Sequence, residues 1–219
     1  MLRPCCLFVA AVLLALPLLL ASGSEATPIG PACDSCAGGV FDLTHSATPI
    51  ATTATTETWV ITYTADLATY TGGGSFLDSV AFKVTGADAS DFVTASLVSA
   101  PGGVVKWQEV TGGINAFGCS GEGAGFECAR DIVPADAAPV SGGPYTWVWH
   151  VELLTGTLLT GTNEASIKAR FVDTMGTKKG PLLSEHITLS ETVVPEPGMA
   201  LLLAGPLVLL GTRRGLRQP

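Results

Sequence analysis

Positive charge is scarce between the two ends of this 219-residue sequence. From residue 27 to residue 197 there are seven basic and 18 acidic side chains, which give that region a net charge of −11. So acidic a region argues against nucleic acid and other anionic surfaces as partners. It suits a domain that stays soluble outside the cell, or one that binds cations.

Recognisable catalytic and cofactor motifs are also missing. The three histidines, His45, His150 and His186, are far apart in the sequence. The stretch FGCSGEG falls short of a nucleophile elbow because Glu122 stands where the last glycine belongs. No phosphate-binding loop or HExxH pair occurs. The sequence therefore predicts no catalytic residue, metal site or cofactor, although spacing alone leaves open a site that the fold assembles.

No long run has the 3.6-residue period of an amphipathic helix. Short alternating segments occur instead, separated by turns rich in glycine and proline: ETWVITYT, DSVAFKVTG, DFVTASLVSA, VVKWQEV, YTWVWHVEL, EASIKARFVD and LLSEHITLSE. Short strands that are separated by turns in this way favour an all-β fold. We predict a single antiparallel β-sandwich over residues 57–192, of the jelly-roll or immunoglobulin-like type.

The N-terminus has the layout of a secretory signal peptide. Arg3 precedes an apolar run from Leu7 to Ala21, and small residues follow. The run is shorter than the roughly 20 residues that a spanning helix needs, so removal of residues 1–26 is favoured over a retained anchor. The mature chain is expected to be exported.

The C-terminus, residues 193–219, combines three features in order. Val194, Pro195, Glu196 and Pro197 form a stiff extended segment, since proline cannot continue a helix. A 13-residue apolar stretch follows, which as a helix would reach only about 20 Å across a hydrocarbon core of roughly 30 Å. The basic residues Arg213, Arg214 and Arg217 come next and would stay on the cytoplasmic side.

These last 26 or so residues resemble a PEP-CTERM sorting signal. The resemblance implies export in a Gram-negative bacterium, recognition of the Val194–Pro197 motif by an exosortase, and only transient contact of the tail with the membrane. Proteins of this family are often tied to exopolysaccharide, biofilm or floc formation. Gly215, Leu216, Gln218 and Pro219 dilute the plain basic cluster that is usual at the end of such signals.

Four cysteines remain after removal of the signal peptide. Cys119 and Cys128 flank a glycine-rich loop, and we predict that they are bonded to each other, which leaves Cys33 to pair with Cys36. A structural disulfide is a better interpretation of Cys33 and Cys36 than a redox CxxC motif, because no strand-to-helix context flanks them. A zinc site is also disfavoured, because the sequence has no second CxxC pair to complete four ligands. The surrounding residues 27–56 include a Thr-rich stretch that is typical of a linker or a loose edge.

Two functions remain open, with a remote third. The first is a non-catalytic structural or adhesive component of the cell surface or extracellular matrix, associated with exopolysaccharide. The second is a carbohydrate-binding module, for which exposed tryptophans are needed; Trp59 and Trp107 are the candidate ligand-binding residues. Tyr145, Trp147 and Trp149 share one strand face, which is expected to be core. The third is a hydrolase, which convergent carboxylates in a cleft would favour.

Overall fold

The computed structural model describes residues 28–84, 91–133, 138–158 and 163–192. Thirteen β-strands and one short 3-10 helix, Val104–Lys106, account for the regular structure of these residues. The strands are Val40–Ser46 (β1), Ala51–Thr52 (β2), Thr56–Asp66 (β3), Phe76–Val84 (β4), Phe92–Ser99 (β5), Trp107–Thr111 (β6), Ile114–Asn115 (β7), Gly118–Cys119 (β8), Glu127–Asp131 (β9), Ala138–Pro139 (β10), Tyr145–Leu154 (β11), Asn163–Val172 (β12) and Leu183–Thr192 (β13).

The strands form two layers. The first has the order β5-β11-β3-β1, with β2 on β3, and the second has the order β13-β12-β4-β9-β6, with β10 on β4. Pairing is antiparallel except where β1 meets β13 in parallel over three residue pairs. Ring contacts join the layers: Phe82 lies 5.0 Å from Trp149, and Trp107 lies 5.2 Å from Trp147, between centroids. The predicted single antiparallel β-sandwich is confirmed.

The interior follows from the alternation of apolar residues along the longest strands. Trp147, Trp149 and Val151 on β11 are fully buried, and so are Ile61 and Tyr63 on β3. Successive side chains of a strand point to opposite faces, so each such run covers one side of its sheet. The expectation that the aromatic face of β11 is core is confirmed.

The sandwich begins earlier in the chain than the sequence suggested. Strand β1 lies between β3 and β13, and its Phe41, Leu43 and His45 are fully buried. Residues 27–56 are therefore not merely a segment attached to a domain that starts at residue 57. Phe41, Leu43 and His45 alternate as strand residues should, but the run is short and merges into the Thr-rich stretch, in which the intervening strand β2 has only two residues.

A small second core lies on the outer face of the second layer. Ala81, Ile114, Cys119 and Cys128 are buried together there. The β7–β8 hairpin crosses this face, and the Cys119–Cys128 disulfide ties the hairpin to β9. The region around this hairpin is where the sandwich departs from a plain two-layer architecture.

Candidate functional site

Neither tryptophan proposed as a ligand-binding residue lies at the surface. Trp59 is 3% exposed and packs edge-on against His45, with 5.5 Å between ring centroids. Trp107 is 5% exposed, and its Nε1 donates to the Pro101 carbonyl at 2.9 Å. Because both rings are enclosed by the sandwich, neither is available to stack on a sugar in this conformation.

The predicted disulfides are both present. Cys119 and Cys128 are bonded with 5.9 Å between their Cα atoms, and Cys33 and Cys36 with 5.2 Å. Cys36 is fully buried against the main core, and the adjacent Ser35 hydroxyl donates to the Glu185 carboxylate on β13. The Cys119–Cys128 disulfide holds the β7–β8 hairpin, and the Cys33–Cys36 disulfide closes the turn that precedes β1. Two disulfides are typical of a protein that matures in an oxidising compartment.

One surface feature is a phenylalanine at the tip of the β7–β8 hairpin. Ala116 and Phe117 form the two-residue loop, and the Phe117 side chain is 88% exposed. The Asn115 side chain accepts a hydrogen bond from the Phe117 N–H at 2.7 Å, and Arg170 Nε donates to the Ala116 carbonyl at 3.1 Å. Together with the Cys119 disulfide, these bonds fix the backbone of the two-residue loop that presents the exposed ring.

A polar pocket of about 410 Å³ lies beside Phe117. It is lined by Asp78, Ser79, Gln108, Phe117, Gly118, Arg130, Asp131, Ile132, Arg170 and Gly176. Both arginines of the region from residue 27 to residue 197 are in this list. Their formal charges are balanced by the two aspartates, so the pocket is neutral in a region whose net charge is −11.

The side chains of this pocket are held in place by mutual contacts. Arg130 donates to Gln108 Oε1 through Nε and Nη2, at 2.9 and 2.6 Å. Arg170 forms an ion pair with Asp78. Burial raises the pKa of Asp78 to about 6, and the neighbouring Arg170 charge offsets part of this effect. The pocket therefore presents fixed, planar donors and acceptors rather than long mobile side chains.

A second cleft, of about 490 Å³, lies between strand β5 and the β6–β9 pair. Its lining includes Glu109 and Glu127, together with Thr94, Thr111 and apolar residues of β5. Register explains why the two glutamates meet. Glu109 is opposite Ala129, and Glu127 is opposite Thr111, so the two glutamates are diagonal neighbours on the inward face. The Cβ atoms of such neighbours lie about 7 Å apart or slightly less.

The environment of these glutamates favours their neutral forms. Glu127 is 3% exposed, and burial, followed by the Glu109 charge, raises its pKa to about 7, while a hydrogen bond with Thr111 acts in the opposite sense. Burial also raises the pKa of Glu109, opposed by the Leu97 N–H that donates to Glu109 Oε2 at 2.9 Å. A carboxyl group that titrates near neutral pH is a common feature of functional sites.

Sequence reasoning identified neither Phe117 nor the glutamate pair. A signal for the pair existed, because Glu109 has the same parity as Trp107 on one strand and therefore shares its inward face. The sequence around Phe117 does not predict that this side chain is exposed, because its exposure depends on how the hairpin packs on the sheet beneath it. The sorting residues Val194, Pro195, Glu196 and Pro197, and the basic residues Arg213, Arg214 and Arg217, lie outside the described residues. Within the described ranges, no helix is long and apolar enough to cross a membrane.

The fold has distant likenesses among solved structures. No protein-family model and no curated protein matches the chain. The sixth cohesin of scaffoldin B from Acetivibrio cellulolyticus, solved with a dockerin, has 13% identity and a TM-score of 0.34, over 69% of this chain and 98% of that one. The C-terminal domain of the AgI/II polypeptide BspA from Streptococcus agalactiae has 8% identity and a TM-score of 0.35, over 68% of this chain and 49% of that one.

A third likeness is to ACE19, the collagen-binding subdomain of the Enterococcus faecalis surface protein ACE. It has 11% identity and a TM-score of 0.31, over 69% of this chain and 94% of that one. Likenesses at these identities and TM-scores say nothing about what this chain binds.

Proposed function

We propose that this chain is an exported, non-catalytic component of the cell surface or extracellular matrix that contacts a hydroxyl-rich polysaccharide through Phe117 and the polar pocket beside it. The observation that carries the proposal is the 88% exposed Phe117, which lies beside a polar pocket at the tip of a hairpin whose backbone is held by a disulfide and two hydrogen bonds. Aromatic rings that are exposed and rigid are favoured contact residues because they bury a large area at low cost in entropy.

The chemistry of the pocket suits a sugar polymer. Gln108, Arg130 and Asp131 supply donors and acceptors that match hydroxyl groups, while the ring of Phe117 offers a flat apolar surface for the C–H face of a sugar. The balanced formal charge matters as well. An acidic domain repels an acidic polymer over most of its surface, and repulsion is weakest where arginines offset the carboxylates.

Export and sorting complete the proposal. The signal peptide of residues 1–26 takes the chain out of the cytoplasm, and an exosortase then recognises the segment Val194–Pro197, in keeping with the PEP-CTERM resemblance. Loss of the apolar tail releases the sandwich into the matrix or leaves it at the cell surface. Both disulfides support maturation outside the cytoplasm.

A hydrolytic function is a weaker alternative. Paired carboxylates also serve glycoside hydrolases, which flank the scissile bond with an acid and a second carboxylate. In this chain, however, Glu127 is 3% exposed, and Glu109 Oε2 already accepts a hydrogen bond from Leu97. Glu127 likewise forms a hydrogen bond with Thr111, and both side chains lie on the inward face of β6 and β9.

A deletion strain complemented with variants tests the function. Wild-type protein should restore aggregation and matrix texture, and Phe117→Ala should fail to do so although it is exported in equal amount. Val105→Ala is the matched control, since Val105 is 83% exposed at a distance in sequence from the hairpin. Unchanged matrix properties in the deletion strain would contradict the proposal. Loss of a specific hydrolytic activity in that strain would favour the hydrolase.

A further inference from the structure

Two buried carboxylate oxygens in the cleft between β5 and the β6–β9 pair have no hydrogen-bond partner. These are Oε1 of Glu109 and Oε2 of Glu127. Native structures satisfy the large majority of buried polar atoms, so each exception needs a reason. Two carboxylates that share one site also repel each other unless a proton or a cation lies between them.

The donors of this cleft are all oxygens. The carboxylates of Glu109 and Glu127 and the hydroxyls of Thr94 and Thr111 line it. No cysteine or histidine lines the cleft, so the thiolate and imidazole ligands that zinc prefers are not gathered here. Across the described ranges no group of three or more His, Cys, Asp or Glu side chains is arranged to hold a metal, so a site here has only two carboxylates. Two carboxylates, neutral oxygens and water instead match Ca²⁺, which accepts six to eight oxygen ligands in a flexible geometry.

We propose that Glu109 and Glu127 bind a divalent cation, best matched by Ca²⁺, in this cleft. The two negative charges of the glutamates would neutralise the ion, and the volume of about 490 Å³ leaves room for several water ligands. The ion would add a link between the adjacent strands β6 and β9 of the second layer, in the cleft that β5 also lines.

The cation site and the proposed polysaccharide surface have no lining residue in common. Gln108 and Arg130 pair directly across β6 and β9 and line the outer pocket, whereas Glu109 and Glu127 line the cleft on the inward face. The two sites therefore lie on opposite faces of the same strands. Substitutions of Glu109 or Glu127 should leave polysaccharide binding unchanged, and substitution of Phe117 should leave cation binding unchanged. A failure of one proposal can therefore be distinguished from a failure of the other.

The neighbouring charges are compatible with a bound cation. Lys83 donates from Nζ to the carbonyl of Ala124, a residue that lines the cleft, at 3.2 Å. Thr111 forms a hydrogen bond with Glu127, and the β5 residues that line the cleft carry no charge.

Calcium titration of the exported protein at pH 8 tests the site. Isothermal calorimetry should give a dissociation constant of about 10⁻⁴–10⁻³ M, the range of extracellular calcium modules. Terbium should bind competitively and luminesce on excitation of tryptophan, since Trp107 is two residues from Glu109. Glu109→Gln and Glu127→Gln should each weaken Ca²⁺ binding at least tenfold. Glu164→Gln, at an exposed position of β12, should bind like wild type.

Two results would overturn the inference. One is the absence of Ca²⁺ binding to wild-type protein at concentrations up to about 10 mM, well above the expected range. The other is binding that survives both Glu→Gln substitutions, because the ion would then lie elsewhere. Thermal unfolding with and without Ca²⁺ shows whether each variant is folded, and only the wild type and the Glu164→Gln control should gain stability from the ion.

Discussion

Glu109 Oε2 accepts a hydrogen bond from the backbone N–H of Leu97 at 2.9 Å. Leu97 belongs to β5, at the edge of one layer, and Glu109 belongs to β6, at the edge of the other. The two layers are thus joined by a side chain where no strand ladder joins them. This contact positions Glu109 for the cation site, and it makes that edge of the sandwich sensitive to the charge of the cleft.

Stability should fall as the pH rises from about 5 to about 8 when a chelator removes divalent ions. The folded protein raises the pKa of Glu127 from 4.5 to about 7, so it binds this proton more tightly than the unfolded chain does. That contribution is complete below about pH 4.5 and is lost as the pH passes 7.

Glu127→Gln should remove much of this dependence and stabilise the protein at pH 8 by on the order of 2 kcal/mol, since one pKa unit is worth about 1.4 kcal/mol and solvent at the mouth of the cleft screens part of it. Urea unfolding at several pH values measures this. The pKa of Asp78 is also raised, to about 6, so Asp78 contributes to the same loss of stability with rising pH. The quantity to compare is therefore the difference in unfolding free energy between the variant and the wild type at each pH. An unchanged slope in Glu127→Gln would count against the assignment.

Asp78→Ala should destabilise the protein by about 3 kcal/mol, because it leaves the buried guanidinium of Arg170 without its carboxylate. The variant should also loosen the hairpin, since the same guanidinium donates to the Ala116 carbonyl. Urea unfolding and amide exchange at Phe117 report the two effects. Lys179→Ala is the control, as its ion pair with Asp173 is exposed, and it should change little. Equal behaviour of the two variants would contradict the structural role given to Arg170.

Replacing both Cys119 and Cys128 by serine should lower stability by about 2–3 kcal/mol through the extra freedom of the unfolded chain. The larger consequence should be local, because the bond ties the hairpin that carries Phe117 to β9. Peptide mapping without reduction should first show the linked peptides in the wild-type exported protein. Free thiols at both positions would refute the prediction.

The exported form should lack the residues that follow the segment Val194–Pro197. Exosortase processing at or near this motif would remove the apolar stretch together with Arg213, Arg214 and Arg217. Mass spectrometry of the surface or secreted protein measures the C-terminus directly. A chain that is intact through Pro219 would contradict processing, and replacing Pro195 and Pro197 by alanine should leave the tail uncleaved.

Much of the fold could be predicted from the sequence because apolar alternation determines which strand face is buried. Tyr63, Trp147 and Trp149 follow that rule, and the pairing of Cys119 with Cys128 follows from the short loop between them. The Leu97–Glu109 contact and the exposure of Phe117 could not be predicted from the sequence. Leu97 meets Glu109 across two sheet edges, and Phe117 is exposed only because its hairpin lies on the outer face of β4 and β12. Such contacts depend on how the layers close, which local periodicity does not encode.

The proposed function requires Phe117 and the pocket beside it to bind polysaccharide without hydrolysing it. Isothermal calorimetry of the exported protein against the polysaccharide of the producing strain tests it directly, with reducing-end release followed in the same samples. We predict saturable binding by wild type and Val105→Ala, at least tenfold weaker binding by Phe117→Ala, and no release of reducing ends. Equal binding by Phe117→Ala and wild type, or steady release of reducing ends that Glu127→Gln abolishes, would contradict it.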